Sequence, residues 1–372
     1  MASEPLIEVF ARLIQATGPI SVAHFMAESN ARYYTTRDPL GHGGDFITAP
    51  EISQMFGEMI GLWLADVWIR AGRPEPVAYV EAGPGRGTLA QDALRAAARQ
   101  GLVPQVHFVE TSPALRALQR QRFPQACWHD DFSTLPGDCP LLIVGNEFLD
   151  ALPVRQIVRM EGGWRERMVG WQPEAGAERA PGEPGDTGYS TQQGRLLPVA
   201  GDRPMDAAVP ADRADLPEGA IIETCPAASA VVAEIAARLV AQGGTALLID
   251  YGHDAPHTGS TLQAVRAHQK VDPFATPGEA DLTALVDFSA LVPVAQQAGA
   301  RVEGIVPQGP FLQRLGIEAR AQGLARSAPD HAQTIARALA RLVAPEEMGN
   351  LFKAMAVSAP HWPAAAGFET IS

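Results

Sequence analysis

Three glycines at alternate positions, Gly83, Gly85 and Gly87, separate an apolar run at 77–80 from a helical pattern at 88–100, within the stretch EAGPGRGTL at 81–89. Glycine lets a chain turn sharply and lets a ligand approach the backbone without meeting a Cβ. A helix that opens there offers unpaired N–H groups and the positive end of its dipole, a receptor for a phosphate or a carboxylate. The spacing excludes two phosphate loops. Thr88 stands where a dinucleotide fingerprint needs its third glycine, and no G-x-x-x-x-G-K-[ST] occurs in the chain. Glu81, just before the glycines, would repel a pyrophosphate and tolerate a cationic ligand.

Further polar groups close the later apolar runs. The run at 106–109 ends in Glu110, where a carboxylate can accept hydrogen bonds from both hydroxyls of a ribose. Its alternative reading is an acid at the N-terminus of the helix that follows Ser112. Asp130 and Asp131 come after the third run; Asp131 is the candidate for an adenine amino group, with capping of the next turn as the alternative. The run at 141–144 leads into Gly145-Asn146-Glu147-Phe148-Leu149-Asp150. Two carboxylates and an amide leaving a buried strand suit a planar, forked cation such as a guanidinium, so Asn146, Glu147 and Asp150 are candidate catalytic residues. They could instead cap a helix starting near Phe148. Asp45, beside Phe46 in a glycine-rich loop at 31–50, is a fourth candidate, and equally a turn residue. His253 and His257, with Asp250 and Asp254, have i, i+4 spacing, but Gly252, Pro256 and Gly259 argue for a loop, so no metal site is expected. Tyr251 and His253 are read as the rim of the site.

These residues need a scaffold. Apolar runs at 77–80, 106–109, 126–128, 141–144 and 245–250 alternate with helical patterns at 88–100, 113–122 and 226–242, which indicates an α/β fold with a parallel sheet buried on both faces. A final strand is expected at 351–357. An amphipathic helix at 4–16 and a second near 20–28 precede this core, followed by a helix opened by Thr48 and Glu51 as a capping box. Runs at 154–160 and 164–169 flank Gly162-Gly163 as a hairpin. The stretch at 171–220 reads as flexible connection, and 251–280 as a loop. The division expected is an N-terminal helical extension with a substrate loop over 1–75, an inserted hairpin and flexible segment over 151–220, and a Rossmann-like domain over 76–150 and 221–372.

E-x-G-x-G-x-G closing a first strand is the pattern of class I methyltransferases, whose cofactor carries a sulfonium and an ammonium that an acidic site tolerates. Five stretches extend the likeness: GGDFITAPEISQMFGE at 43–58, EAGPGRGTL at 81–89, GNEFLDALPVRQ at 145–156, DYGH at 250–253 and DLTALVDF at 281–288. In this order, across 20–357, they resemble the MidA-like methyltransferases, whose mitochondrial members are complex I assembly factors reported as protein arginine methyltransferases. The resemblance implies a Rossmann-like class I methyltransferase sheet and S-adenosyl-L-methionine as cofactor, held by Glu81, Gly83, Gly85, Gly87, Glu110 and Asp131. It implies an arginine of a protein substrate as acceptor, with a respiratory complex I subunit as one candidate, and places Asp45 over cofactor and substrate. The alternatives are methylation of a small molecule or another residue type, and a catalytically silent assembly chaperone that binds the cofactor structurally.

Composition narrows the classes. The net charge of -13, without a Lys/Arg run, argues against nucleic-acid or anionic-membrane binding. Three cysteines without a C-x-x-C pair argue against a disulfide framework. No apolar run reaches membrane-spanning length, and the N-terminus has neither signal-peptide nor presequence character. A bacterial, cytoplasmic member of the family is expected.

Overall fold

The computed structural model describes residues 4–36, 48–174, 194–266 and 269–368. They form two compact units, each assembled from separate pieces of the chain. One comprises the described residues of Asp38–Asp150, Ala228–Pro256 and Leu285–Ser372; the other comprises those of Met1–Arg37, Ala151–Ala227 and His257–Ala284. This differs from the division expected from sequence. The segment 1–75 is split between the units, and 257–284 goes with the N-terminal helices and the insertion.

The first unit is built on seven strands: β1 (Ala78–Ala82), β2 (Gln105–Val109), β3 (Cys127–His129), β4 (Leu141–Asn146), β5 (Gly244–His253), β6 (Arg301–Pro307) and β7 (Phe352–Ser358). Their order across the sheet is β6-β7-β5-β4-β1-β2-β3, and Val286–Asp287 adds a short parallel pairing to β5. Strands β1 to β5 run parallel, and β7 lies antiparallel to both β5 and β6. Every residue of β1 and β4 is buried, as continuous apolar runs in a sheet covered on both faces require. This is the expected α/β, Rossmann-like class I methyltransferase sheet. The strand β6, unread in the sequence, completes it.

Helices α1 (Gln54–Arg70), α2 (Thr88–Ala98) and α3 (Pro113–Arg122) belong to this unit. Helix α1 packs on α2 at Gly61, where an added Cβ would fall 2.1 Å from the Ala93 carbonyl oxygen. The expected capping box does not form. Ala49–Ile52 is a separate short helix whose flanking Thr48 makes no side-chain cap, and Ser53 caps α1 by accepting from the Met55 N–H at 3.2 Å. Glu51 instead accepts a hydrogen bond from the Thr88 hydroxyl at 2.6 Å, at the first residue of α2.

In the second unit the helices Leu6–Thr17 and Val22–Thr36 contribute Phe10 and Phe25 to a core shared with Val169, Leu196 and Leu282. Arg155–Met160 and Gly163–Pro173 pair as the expected hairpin across Gly162. The reading of 171–220 as flexible connection is corrected over Gly194–Pro204, a strand that extends that sheet, and Ile221–Thr224 pairs on its other side. The reading of 251–280 as a loop is corrected: Gln263–Arg266 pairs with Gln269–Val271 and with Asp281–Thr283. These strands are three or four residues long, too short for a period-2 pattern to stand out.

Candidate active site

The carboxyl ends of β1, β2 and β4 gather most of the residues singled out above. At the end of β1, Gly83, Gly85 and Gly87 all have positive φ, 63°, 54° and 77°. That backbone region is costly for a side chain bearing a Cβ. Gly87 precedes α2 without any side-chain cap, so the N–H groups ahead of Ala90 and the helix dipole are left for a ligand at the loop.

Glu81 lies beneath this loop. It accepts from the Tyr79 hydroxyl at 2.5 Å and from the Ala90 N–H of α2. Burial, only partly offset by these two donors, pushes its carboxyl up to about 8. Its position ties β1 to α2.

Glu110 ends β2 and is buried. It accepts from the Ser112 N–H at 2.8 Å and from the Gln119 side-chain amide at 3.3 Å. Burial raises its carboxyl above the usual range, while these hydrogen bonds work in the opposite direction. The sequence reading missed Gln119. It is fully buried on α3, donates to the Gly85 carbonyl at 2.7 Å and accepts from the Trp128 indole at 2.8 Å. One side chain thus fixes the glycine loop relative to the ribose candidate. Asp131 accepts from both the N–H and the hydroxyl of Ser133, at 2.8 and 2.5 Å, and so caps the short turn Phe132–Thr134. Those hydrogen bonds hold its exposed carboxyl below the usual range. Asp130 pairs with Arg116 at 2.5 Å.

The acceptor candidates stand at the end of β4. Asn146 is buried, and its Oδ1 has no hydrogen-bond partner among the described residues. Its amide donates to Glu147 Oε1 at 3.0 Å, as does the Ala49 N–H at 3.0 Å. Glu147 has a φ of 53°, in the left-handed region. A non-glycine residue there costs about 1–3 kcal/mol and persists where its surroundings over-determine it. Glu147 keeps some surface, but its carboxylate lies inside the protein. Burial pushes it up to about 7; the Asp250 charge adds to the rise, while the Ala49 N–H, the Asn146 amide and the Arg341 charge lower it.

No helix begins at Phe148, so the alternative reading of these residues as caps is not what forms. The N–H groups of Phe148, Leu149 and Asp150 point to Asp250 Oδ2 at 3.0, 2.7 and 3.3 Å. Asp250, on β5, is also buried, which raises its carboxyl above the usual range against the pull of those N–H donors. The Asp250 charge acts on Glu147, and Asp150, the acceptor candidate named from sequence, is tied to Asp250 through its N–H. Asp45 lies outside the described residues. Tyr251 packs on Phe352 with the rings tilted and their centroids 5.4 Å apart, and His253 Nδ1 bonds the Ala255 carbonyl at 2.6 Å.

The order of strands, the positive-φ glycine loop and the acid at the end of β2 define a class I methyltransferase. The chain belongs to a family of S-adenosyl-L-methionine-dependent methyltransferases, whose profile matches residues 59–306. It is 33% identical over 405 residues to protein arginine methyltransferase NDUFAF7, mitochondrial, of Xenopus laevis, covering 96% of this chain and 87% of that one. Its identity to the Drosophila melanogaster homolog is 36%, covering 92% and 82% of the two chains. A solved structure from Burkholderia thailandensis, bound to S-adenosyl-homocysteine, superposes with a TM-score of 0.77 at 27% identity, covering 99% of this chain and 97% of that one. A native structure of a protein from the same organism gives 0.78 at 28%, with 100% and 98% covered.

S-adenosylmethionine is thus the cofactor, and the residues present suit it. The first N–H groups of α2 suit a carboxylate, the three positive-φ glycines let the loop turn sharply out of β1, and Glu110 offers a buried acceptor at the ribose position. Among the described residues no group of three or more His, Cys, Asp or Glu side chains is placed to hold a metal, and no helix is long and apolar enough to cross a membrane.

Proposed function

We propose that this methyltransferase acts on an arginine side chain of a protein substrate, with Glu147 and Asn146 receiving the guanidinium. The observation that carries this reading is the left-handed Glu147 at the end of β4, with its buried carboxylate and the unpartnered Oδ1 of Asn146 beside it. An anionic acceptor next to a neutral one matches a planar cation with several N–H donors. The names of the curated relatives, protein arginine methyltransferases, support the same acceptor.

The cofactor supplies an electrophilic methyl carbon on a sulfonium. The acceptor nitrogen would form the new N–C bond as the C–S bond breaks, its electron pair remaining on sulfur, and the methylated nitrogen would give its proton to the Glu147 carboxylate and from there to solvent. Glu147 orients one nitrogen for this attack and concentrates the guanidinium charge on the others. A carboxyl near 7 in the free protein ionises fully once a guanidinium arrives, because the neighbouring cation lowers it. Asp131 and Glu110 would hold the adenosine, and Glu81 would position the loop from below.

Methyl-labelled S-adenosylmethionine, incubated with the protein and a cell extract, tests the reading. Label recovered as methylarginine after protein hydrolysis is expected, with a complex I subunit among the bands to be examined. Label in metabolites or on another residue type overturns the arginine assignment. Bound cofactor without transfer would favour a chaperone.

A further inference from the structure

Asp250 sits on β5, about a hundred residues along the chain from the turn it serves. Its two oxygens take four backbone N–H groups: Oδ2 those of Phe148, Leu149 and Asp150, and Oδ1 that of Tyr251 at 2.8 Å. The Glu147 N–H donates to the Ile249 carbonyl at 2.9 Å, so β5 grips both sides of the strained residue. A carboxylate is the side chain best suited to this task, because it accepts at every lone pair and donates nowhere. Three successive N–H groups converging on one oxygen also require the chain to curl, and that curl sets the direction in which Glu147 leaves β4.

We propose that Asp250 is a positioning residue for methyl transfer: by gathering the N–H groups of Phe148, Leu149 and Asp150, it holds Glu147 in its left-handed conformation with the carboxylate between Asn146 and Ala49. The inference rests on the reading of Glu147 as the acceptor-binding group. It gives Asp250 no contact with the substrate. Its effect reaches the reaction through geometry and through charge, since a second carboxylate behind Glu147 opposes ionisation of the first. The charged and polar groups acting on Glu147 are Asp250, Arg341, the Asn146 amide and the Ala49 N–H.

The test compares wild type, Asp250→Asn and Glu147→Gln in one assay of kcat/KM against pH, with S-adenosylhomocysteine affinity measured alongside. Asp250→Asn keeps the size but presents an NH2 group to donors. It should retain cofactor affinity within about threefold and lose at least tenfold in kcat/KM on the alkaline plateau. The acid limb should move to lower pH, because Glu147 is relieved of a like charge. A loss of kcat/KM with an unmoved acid limb, or an unchanged plateau, overturns the positioning role. Full turnover by Glu147→Gln overturns the reading beneath it, and is distinguishable because Asp250→Asn is not involved.

Should Asp250→Asn fail to bind cofactor for want of a fold, the wild-type protein carries the test. With 15N-labelled Phe, Leu and Asp, the amide protons of Phe148, Leu149 and Asp150 should shift with pH at one common midpoint as their shared acceptor titrates. Three amides that respond independently, at different midpoints, overturn the proposal.

Discussion

The side-chain amide of Gln119 lies 2.7 Å from the carbonyl oxygen of Gly85. This hydrogen bond joins α3 to the glycine loop, and the same side chain reaches Glu110 and the Trp128 indole. Gln119→Leu keeps most of the volume and removes all three contacts. It leaves the half-buried Gly85 carbonyl and Trp128 indole N–H without these partners, at about 1 kcal/mol for each lost hydrogen bond. A lower Tm is expected, together with S-adenosylhomocysteine affinity weakened roughly tenfold or more. Calorimetry on the folded variant checks this; unchanged affinity would mean that the loop keeps its shape without Gln119.

Glu110 is expected to bind the ribose, which cofactor and product share. Glu110→Ala should therefore weaken S-adenosylmethionine and S-adenosylhomocysteine to the same degree, by roughly 1.5–3 kcal/mol for a hydrogen bond to a charged group. Paired titrations of the two ligands measure this. Weakening of one ligand alone contradicts the assignment.

Glu81 gives a pH-dependent stability. Its carboxyl stands near 8 in the folded protein, against the ordinary 4.5. The folded state therefore binds a proton that the unfolded state has released between those values. The favourable contribution is fully present below about 4.5 and is lost as pH rises through about 8. Glu81→Gln removes this titration while keeping an acceptor for Tyr79 and Ala90. Its Tm should fall less steeply between pH 5 and 8 than that of the wild type, read without cofactor by scanning calorimetry. Parallel Tm profiles would show that Glu81 does not titrate in this window.

The candidate cofactor residues can be named from sequence because their signals are local. The glycine triplet follows a short apolar run, and Glu110 ends the next one, so strand ends mark both. Asp250 and Gln119 lack such a signal. Asp250 acts on a turn that only strand pairing brings near, and Gln119 looks like one more polar residue in an Arg- and Gln-rich helix. The capping box failed because Ser53 interrupts the helical path, which frees Glu51 to reach Thr88. Strand β6 escaped notice because none of its residues is fully buried, so its apolar pattern is diluted. The split of 1–75 between two units is written in tertiary contacts among distant segments, which local patterning does not carry.

The sharpest measurement is the separation of binding from turnover in Glu147→Gln. The substitution keeps size and hydrogen bonding and removes only the charge. Cofactor affinity should stay within about threefold of wild type, since a neutralisation away from the nucleoside shifts binding by a few tenths of a kcal/mol. Methyl transfer to protein arginine should fall by about two orders of magnitude or more, near 3 kcal/mol of transition-state stabilisation. Loss of cofactor binding in the same variant would assign Glu147 to the cofactor site or the fold, and wild-type turnover would contradict its place in the acceptor pocket.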